Sequence, residues 1–265
     1  MKIFDCFMYF DEDLILDIRL NVLNRYVDKF VIIESGEDFR GNKKKQLFNI
    51  NKFSKFKDKI IYLFFDTYGD LKGDWDRENF QRNYIENGLT EADGDDLIII
   101  SDVDEIPNLK NFNFNDFPKE KYFSFEQNLY YFKLNMLVTG QGPWHGTKAC
   151  KKKYLKSPQW LRDAKSSKRY PWWRLDKVTF YKILNGGWHF SYIKSPEAIQ
   201  KKIKSFAHSE YDSEKFTSLE NIEKSINEKR DLFHRNDHVL EKVEIDNTFP
   251  DYIIDNKSIF KNFIA

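Results

Sequence analysis

The chain has 265 residues, with 43 Lys and Arg against 42 Asp and Glu, a formal charge of +1. So even a balance leaves no single-sign field to draw nucleic acid or a membrane surface, and 41% hydrophobic with 32% charged residues is the make-up of a folding chain, not a disordered one. Cys6 and Cys150 are its 2 cysteines, too few for a disulfide scaffold or a cysteine-rich metal site.

No apolar run approaches the roughly 20 residues of a membrane span. Residues 1–10 carry Asp5 and lack the basic-then-apolar order of a signal peptide. The expectation is a soluble, cytoplasmic protein folded as one domain, whose pattern divides near residue 110. Residues 2–10 read as a buried strand, with Cys6 as a small core residue. Residues 11–26 place Leu14, Ile15, Ile18, Val22 and Leu23 at helical spacing, with Asp11 as cap. Residues 30–34 and 60–65 read as strands, 75–89 as a helix closing at Gly88, and 97–100 as a short central strand bounded by acids. Strand and helix in alternation predict an α/β fold, a Rossmann-type domain with a mostly parallel central sheet flanked by helices.

Beyond residue 110 the pattern changes. Residues 122–134 and 178–184 read as strands, and 139–173 between them, rich in Gly, Pro, Lys and Trp, as an irregular functional loop. Ser195 caps a helix that opens on Pro196 and runs to about residue 206. A charged helix is expected over 218–231, and the last 30 residues carry no clear signal. The 25 Phe, 14 Tyr and 6 Trp serve either a ring-rich core or a surface for stacking on sugars.

Three clusters carry chemistry. In Ser101-Asp102-Val103-Asp104-Glu105-Ile106-Pro107 the Ile-rich strand ends and acids follow at once. Ligands of open α/β sheets bind outside the carboxyl ends of the strands. If extended pairing continues past the strand, Asp102 and Asp104 share a side and suit a hard divalent cation that neutralises a diphosphate. An acidic turn that is merely solvated gives the same string. In Gly186-Gly187-Trp188-His189 two glycines allow close backbone approach, and His189 offers a neutral imidazole to Mn2+ or a hydrogen bond to the core. In residues 74–82, Arg77 and Gln81 share one helix face and Glu78 and Arg82 another, which makes either a solvated salt-bridge face or an Arg near phosphates.

These blocks, together with Phe4-Asp5-Cys6-Phe7 and the strand from Val27 to Glu34, stand in the order that resembles glycosyltransferase family 17 over residues 4 to about 208. The resemblance implies a GT-A fold and an inverting transfer of a sugar, GlcNAc first among the candidates, from a UDP-sugar donor to a glycan hydroxyl, aided by Mn2+ or Mg2+. It assigns Asp102 and Asp104 to metal and diphosphate-ribose contact, with Asp104 the more direct ligand, and His189 to the metal shell. Glu34 is expected at the nucleoside, and Arg77 and Arg82 near the acidic loop or the donor phosphates. The expectation is a chain without the membrane anchor and long stem of the animal Golgi members. Residues 140–173 depart from them as well, so a bacterial or viral surface glycan is the expected acceptor.

An inverting displacement needs a carboxylate base opposite the leaving group. Asp176, after the Trp172-Trp173 pair, is preferred, with Asp163 close behind and Glu126 as a third choice; the alternative reading of each is a surface ion pair. Trp144, His145, Trp172 and Trp173 are the expected acceptor contacts. Two rival classes use the same residues. A metal-dependent phosphoesterase or nuclease would need more metal-ligating acids, and a non-catalytic glycan-binding protein would need neither nucleotide nor metal.

Overall fold

The computed structural model describes residues 1–110, 112–116, 119–166, 178–207 and 209–265. The parallel half is built from near-continuous apolar runs: β1 (Ile3–Met8), β2 (Lys29–Ser35), β3 (Ile60–Phe65) and β4 (Leu97–Asp102). β1 pairs in parallel with β2 on one side and β4 on the other, and β2 with β3. Because both faces of these strands are covered, alternate residues enter different cores. Phe4, Cys6, Ile98 and Ile100 pack with Ile85, Leu89 and Leu161 on one face. Phe7, Leu97 and Ile99 pack on the other with Leu16, Ile18 and Leu20 of α1 (Asp13–Leu23).

The helix α1 starts after Glu12 instead of Asp11, because Glu12 folds back to accept the backbone N–H groups of Phe10 and Asp11 at 3.0 Å each. The predicted helix over 75–89 is α2 (Asp74–Asn83) followed by a tighter 3-10 turn, Tyr84–Gly88.

The second half is more structured than its composition predicts. β5 (Glu105–Pro107), β6 (Tyr122–Tyr131), β7 (Met136–Thr139) and β8 (Lys148–Lys151) precede α3 (Pro158–Asp163), β9 (Tyr181–Ser191) and α4 (Pro196–Ser205). After them come α5 (Glu214–Thr217), α6 (Leu219–Asn227), β10 (Val239–Lys242) and α7 (Asp251–Asp255). The stretch expected to be one irregular loop therefore holds β8 and α3. The last 30 residues hold β10 and α7, and the Gly-Gly-Trp-His block is strand.

Among the described residues these strands join one sheet in the order β10-β7-β6-β8-β4-β1-β2-β3, with β9 beside β6 and β5 beside β9. β8 runs antiparallel to β4 and to β6, so the sheet is parallel at its core and mixed beyond it. The chain goes from β1 to β2 on one side and returns to β4 on the other. That reversal opens a crevice at the carboxyl ends of β1 and β4.

Candidate functional site

A cavity of about 780 Å³ occupies that crevice. Its walls are Met8 to Phe10 after β1, Glu78 and Arg82 of α2, Asp102 to Asp104 after β4, Arg162 of α3, His189 and Tyr192 at the end of β9, and Lys202 of α4.

The acidic turn is held from below by Arg19, which is fully buried on the inner face of α1. Arg19 makes a two-pronged pair with Asp5 at 2.6 and 2.7 Å and donates to Ser101 Oγ at 2.6 Å. Its remaining nitrogen reaches the carbonyls of Asp102, Val103 and Glu105 at 3.0, 3.2 and 2.8 Å. One guanidinium thus ties the tip of β4 to the start of β5. Between them the backbone turns instead of staying extended, and this parts the two aspartates, which were expected to share a side.

Asp102 faces two guanidiniums, Arg82 at 3.0 Å and Arg162 at 2.7 Å, and both its oxygens are engaged. Burial would raise its pKa; the two arginines outweigh burial and hold the carboxyl well below the usual carboxylate range. Arg162 also forks onto Glu105 at 2.7 and 2.8 Å, and Arg82 reaches Glu78 at 2.8 Å and Gln159 at 2.6 Å. Lys148 fixes the end of α3 behind Arg162 by donating to the carbonyls of Arg162 and Ala164. Burial, with Arg162 nearby, lowers that ammonium to about 8.

Asp104 turns the other way. Its Oδ1 stands 3.6 Å from His189 Nε2, and its Oδ2 accepts from Lys202 Nζ at 3.1 Å. The approach to His189 is set by the sheet. β5 and β9 pair antiparallel with Glu105 opposite His189 and Pro107 opposite Gly187, and Phe190 N donates to Asp104 O at 2.8 Å. Gly187 permits this pairing: its φ is +137°, and a Cβ there would stand 2.1 Å from the carbonyl oxygen of Ile106. Trp144 covers the imidazole, with ring centroids 4.8 Å apart, and donates Nε1 to Glu105 Oε1 at 2.6 Å.

The residues present fit a divalent cation in a limited way. A gap of 3.6 Å is long for a hydrogen bond, and ligands bonded at about 2.1 Å to one ion stand roughly 3–4 Å apart. Asp104 and His189 therefore make a two-ligand seat of the kind that substrate phosphates complete. Asp102, with both oxygens on arginines, lies outside it. Among the described residues no group of three or more His, Cys, Asp or Glu is placed to hold a metal.

Other expected residues fall elsewhere. Glu34 is fully buried and does not line the cavity. Its carboxylate accepts from Lys44 at 2.6 Å, Leu47 N at 2.7 Å, Phe48 N and Tyr62 at 2.9 Å each, so it pins the chain after β2 and has no lone pair turned to a nucleoside. Arg77 also lies off the cavity and braces that chain by donating to Phe39 O at 3.0 Å. Asp163 lines the cavity, exposed, and accepts from Gln159 at 2.8 Å. Trp144 lines it too. His145 does not; it stands 3.8 Å from Glu126, and burial lowers its pKa. Glu126 pairs with Lys182 at 3.3 Å. Asp176, Trp172 and Trp173 lie outside the described residues.

With this geometry in view, the family comparison is decisive: the model described as Glycosyltransferase family 17 matches residues 1–261. The chain belongs to glycosyltransferase family 17. No curated protein matches it. A family 17 glycosyltransferase takes a sugar donor and a glycan acceptor. No helix of the described residues is long and apolar enough to cross a membrane.

Three residues of this family 17 enzyme's site escape a reading of motifs: Arg19, Arg162 and Lys202. Two of them did leave a trace in the sequence. Arg19 sits at i+4 from Ile15 and i−4 from Leu23, and Lys202 at i+3 from Ile199, so each is a charge inside an apolar helical stripe. Arg162 left none, because α3 is short and its pattern is that of a loop.

Proposed function

We propose that the chain is an inverting glycosyltransferase of GT-A architecture. It moves a sugar, GlcNAc in the first instance, from a UDP-sugar to a glycan hydroxyl, with Mn2+ or Mg2+ held by Asp104 and His189. The observation that carries this reading is the 3.6 Å approach of Asp104 Oδ1 to His189 Nε2 in a cavity at the switch point of a parallel sheet. When bound there, the cation supplies charge stabilisation for the departing diphosphate.

The chain's own residues do the rest. Arg82 and Arg162 hold Asp102 ionised at the cavity wall, where a carboxylate accepts hydrogen bonds from ribose hydroxyls. Trp144 packs on His189 and keeps water from one side of the imidazole. Trp144 and His145, with Trp172 and Trp173, stand as the acceptor residues. Asp163 or Asp176 takes the acceptor proton as the new bond forms; Asp163 lines the cavity, and Asp176 lies outside the described residues. The rival phosphoesterase reading needs a larger set of metal-ligating acids and finds no support among the described residues.

The test is thermal stability with UDP-GlcNAc, with and without Mn2+, in the wild type and in Asp104→Asn. A metal-dependent rise of about 2.7 kcal/mol is expected at a hundredfold excess over Kd, and it should vanish in the variant. No response to any member of a UDP-sugar panel would overturn the reading. For the base, Asp163→Asn should lower kcat by about 10²–10⁴ with donor binding unchanged; full activity in that variant passes the role to Asp176.

A further inference from the structure

The helix α4 turns one lysine toward its apolar side. Ile199, Lys202 and Ile203 are all buried, and Lys202 stands at the cavity wall. An ammonium is a poor packing group, and an apolar side chain of similar length would fill this place at lower cost. The contacts of Lys202 are those of a group kept for its charge. Nζ donates to Asp104 Oδ2 at 3.1 Å, stands 3.9 Å from Glu12 Oε1, and lies 5.4 and 5.0 Å over the rings of Tyr192 and Phe206. Glu12 has a nearer cation in Lys194, at 3.3 Å. An ammonium carries three N–H donors, and among the described residues Asp104 alone takes one at hydrogen-bond distance.

The arrangement leaves Asp104 with one oxygen on a fixed cation and the other facing His189. It also leaves Lys202 with donors to spare beside the space a diphosphate would fill. The geometry points to Lys202 as a resident cation for the donor's diphosphate: its ammonium binds a phosphate oxygen while it keeps Asp104 Oδ1 aimed at His189. This rests on the UDP-sugar reading above and adds to it a protein-borne positive charge at the leaving group, beside the one that Asp104 and His189 would hold.

Titration of UDP and of uridine, in Mn2+ and again in EDTA, tests it without turnover. The proteins are the wild type, Lys202→Met, Lys202→Gln and Lys202→Arg, and the signal is intrinsic fluorescence, since Trp75 and Trp144 line the cavity. Lys202→Met is expected to weaken UDP at least tenfold in both media and to leave uridine within twofold, while Lys202→Arg recovers most of the loss. Should Lys202→Met not fold, Lys202→Gln, which keeps a donor for Asp104 but no charge, carries the same expectation. UDP affinity within twofold of wild type in a folded neutral variant overturns the inference. An equal loss for UDP and uridine overturns it too, because that marks a purely structural lysine. A wild type that binds uridine no worse than UDP removes the diphosphate contact but leaves a nucleoside site standing. A wild type that binds neither UDP nor any UDP-sugar defeats the donor reading and the inference together.

Discussion

Glu12 shows how much of this site is bought with charge pairing at single residues. Burial would raise its carboxyl pKa, but Lys194 and Lys202, with the backbone N–H groups of Phe10 and Asp11, bring it down to about 2. A carboxyl whose folded pKa is depressed adds stability above its unfolded value, near 4.5, and that stability is lost as pH falls from there toward 2. The difference is on the order of 3 kcal/mol. Urea unfolding at pH 7, 4.5 and 3 should show this decline, and Glu12→Gln should be less stable at pH 7 and flatter with pH. Arg19→Met tests the same principle from the cation's side. It strands Asp5 as a buried charge and releases three carbonyls of the acidic turn, so a loss of about 3–5 kcal/mol is expected by chemical denaturation. Lysine cannot replace it, since only a guanidinium forks onto Asp5 and still reaches the turn. At this scale the sequence singled out acids and a histidine that line one cavity. It did not show which cation each acid would meet, because Arg162 and Lys202 arrive from elements distant in the chain.

At the scale of elements, the β5–β9 ladder does the joining. The sequence placed the acidic block at the end of a strand and the histidine after two glycines, and both placements hold. It did not show that the glycines lie inside β9, because a glycine pair carries turn chemistry unless a partner strand claims it. Gly187→Ala is therefore a sharp probe. It puts a side chain at φ +137° and within 2.1 Å of Ile106 O, so β5 and β9 must part. A backbone strain of about 1–3 kcal/mol should lower the melting temperature, and on the proposed function metal-dependent donor binding should be lost with it. Gly146 has a similar task on the other side of Glu105, where a Cβ would stand 1.9 Å from Glu105 Oε1. The short elements β8 and α3 stayed hidden in the sequence for a plain reason: four to six residues rich in Lys, Gln and Arg have no period of their own, and only their neighbours in the sheet define them.

For the whole molecule, the parallel half was legible because its strands are apolar on both faces, a pattern that survives without knowledge of partners. The mixed half was legible only in part: the elements read at 122–134, 178–184, 195–206 and 218–231 meet β6, β9, α4 and α6, while β7, β8 and β10 come from pairings between residues far apart in the chain, such as β10 with β7. The end of the chain closes the core under α1: Phe249, Ile253 and Phe260 are buried there, and Leu134 N donates to Phe263 O at 2.8 Å. Removing residues 249–265 deletes these three buried side chains, whose burial is worth about 1.5–3 kcal/mol each, and bares the core they cover. A loss of most of the folding free energy is expected, visible as a broad, weakly cooperative denaturation curve.

The ladder that carries Asp104 and His189 has one more implication. Their separation is set by hydrogen bonds between neighbouring strands and not by the length of the connecting chain. Substitutions at exposed wall residues such as Asp163 can change what the outer side of the crevice meets while the inner pair keeps its spacing. The outer wall of the crevice and the spacing of its inner pair are thus free to evolve independently in this scaffold.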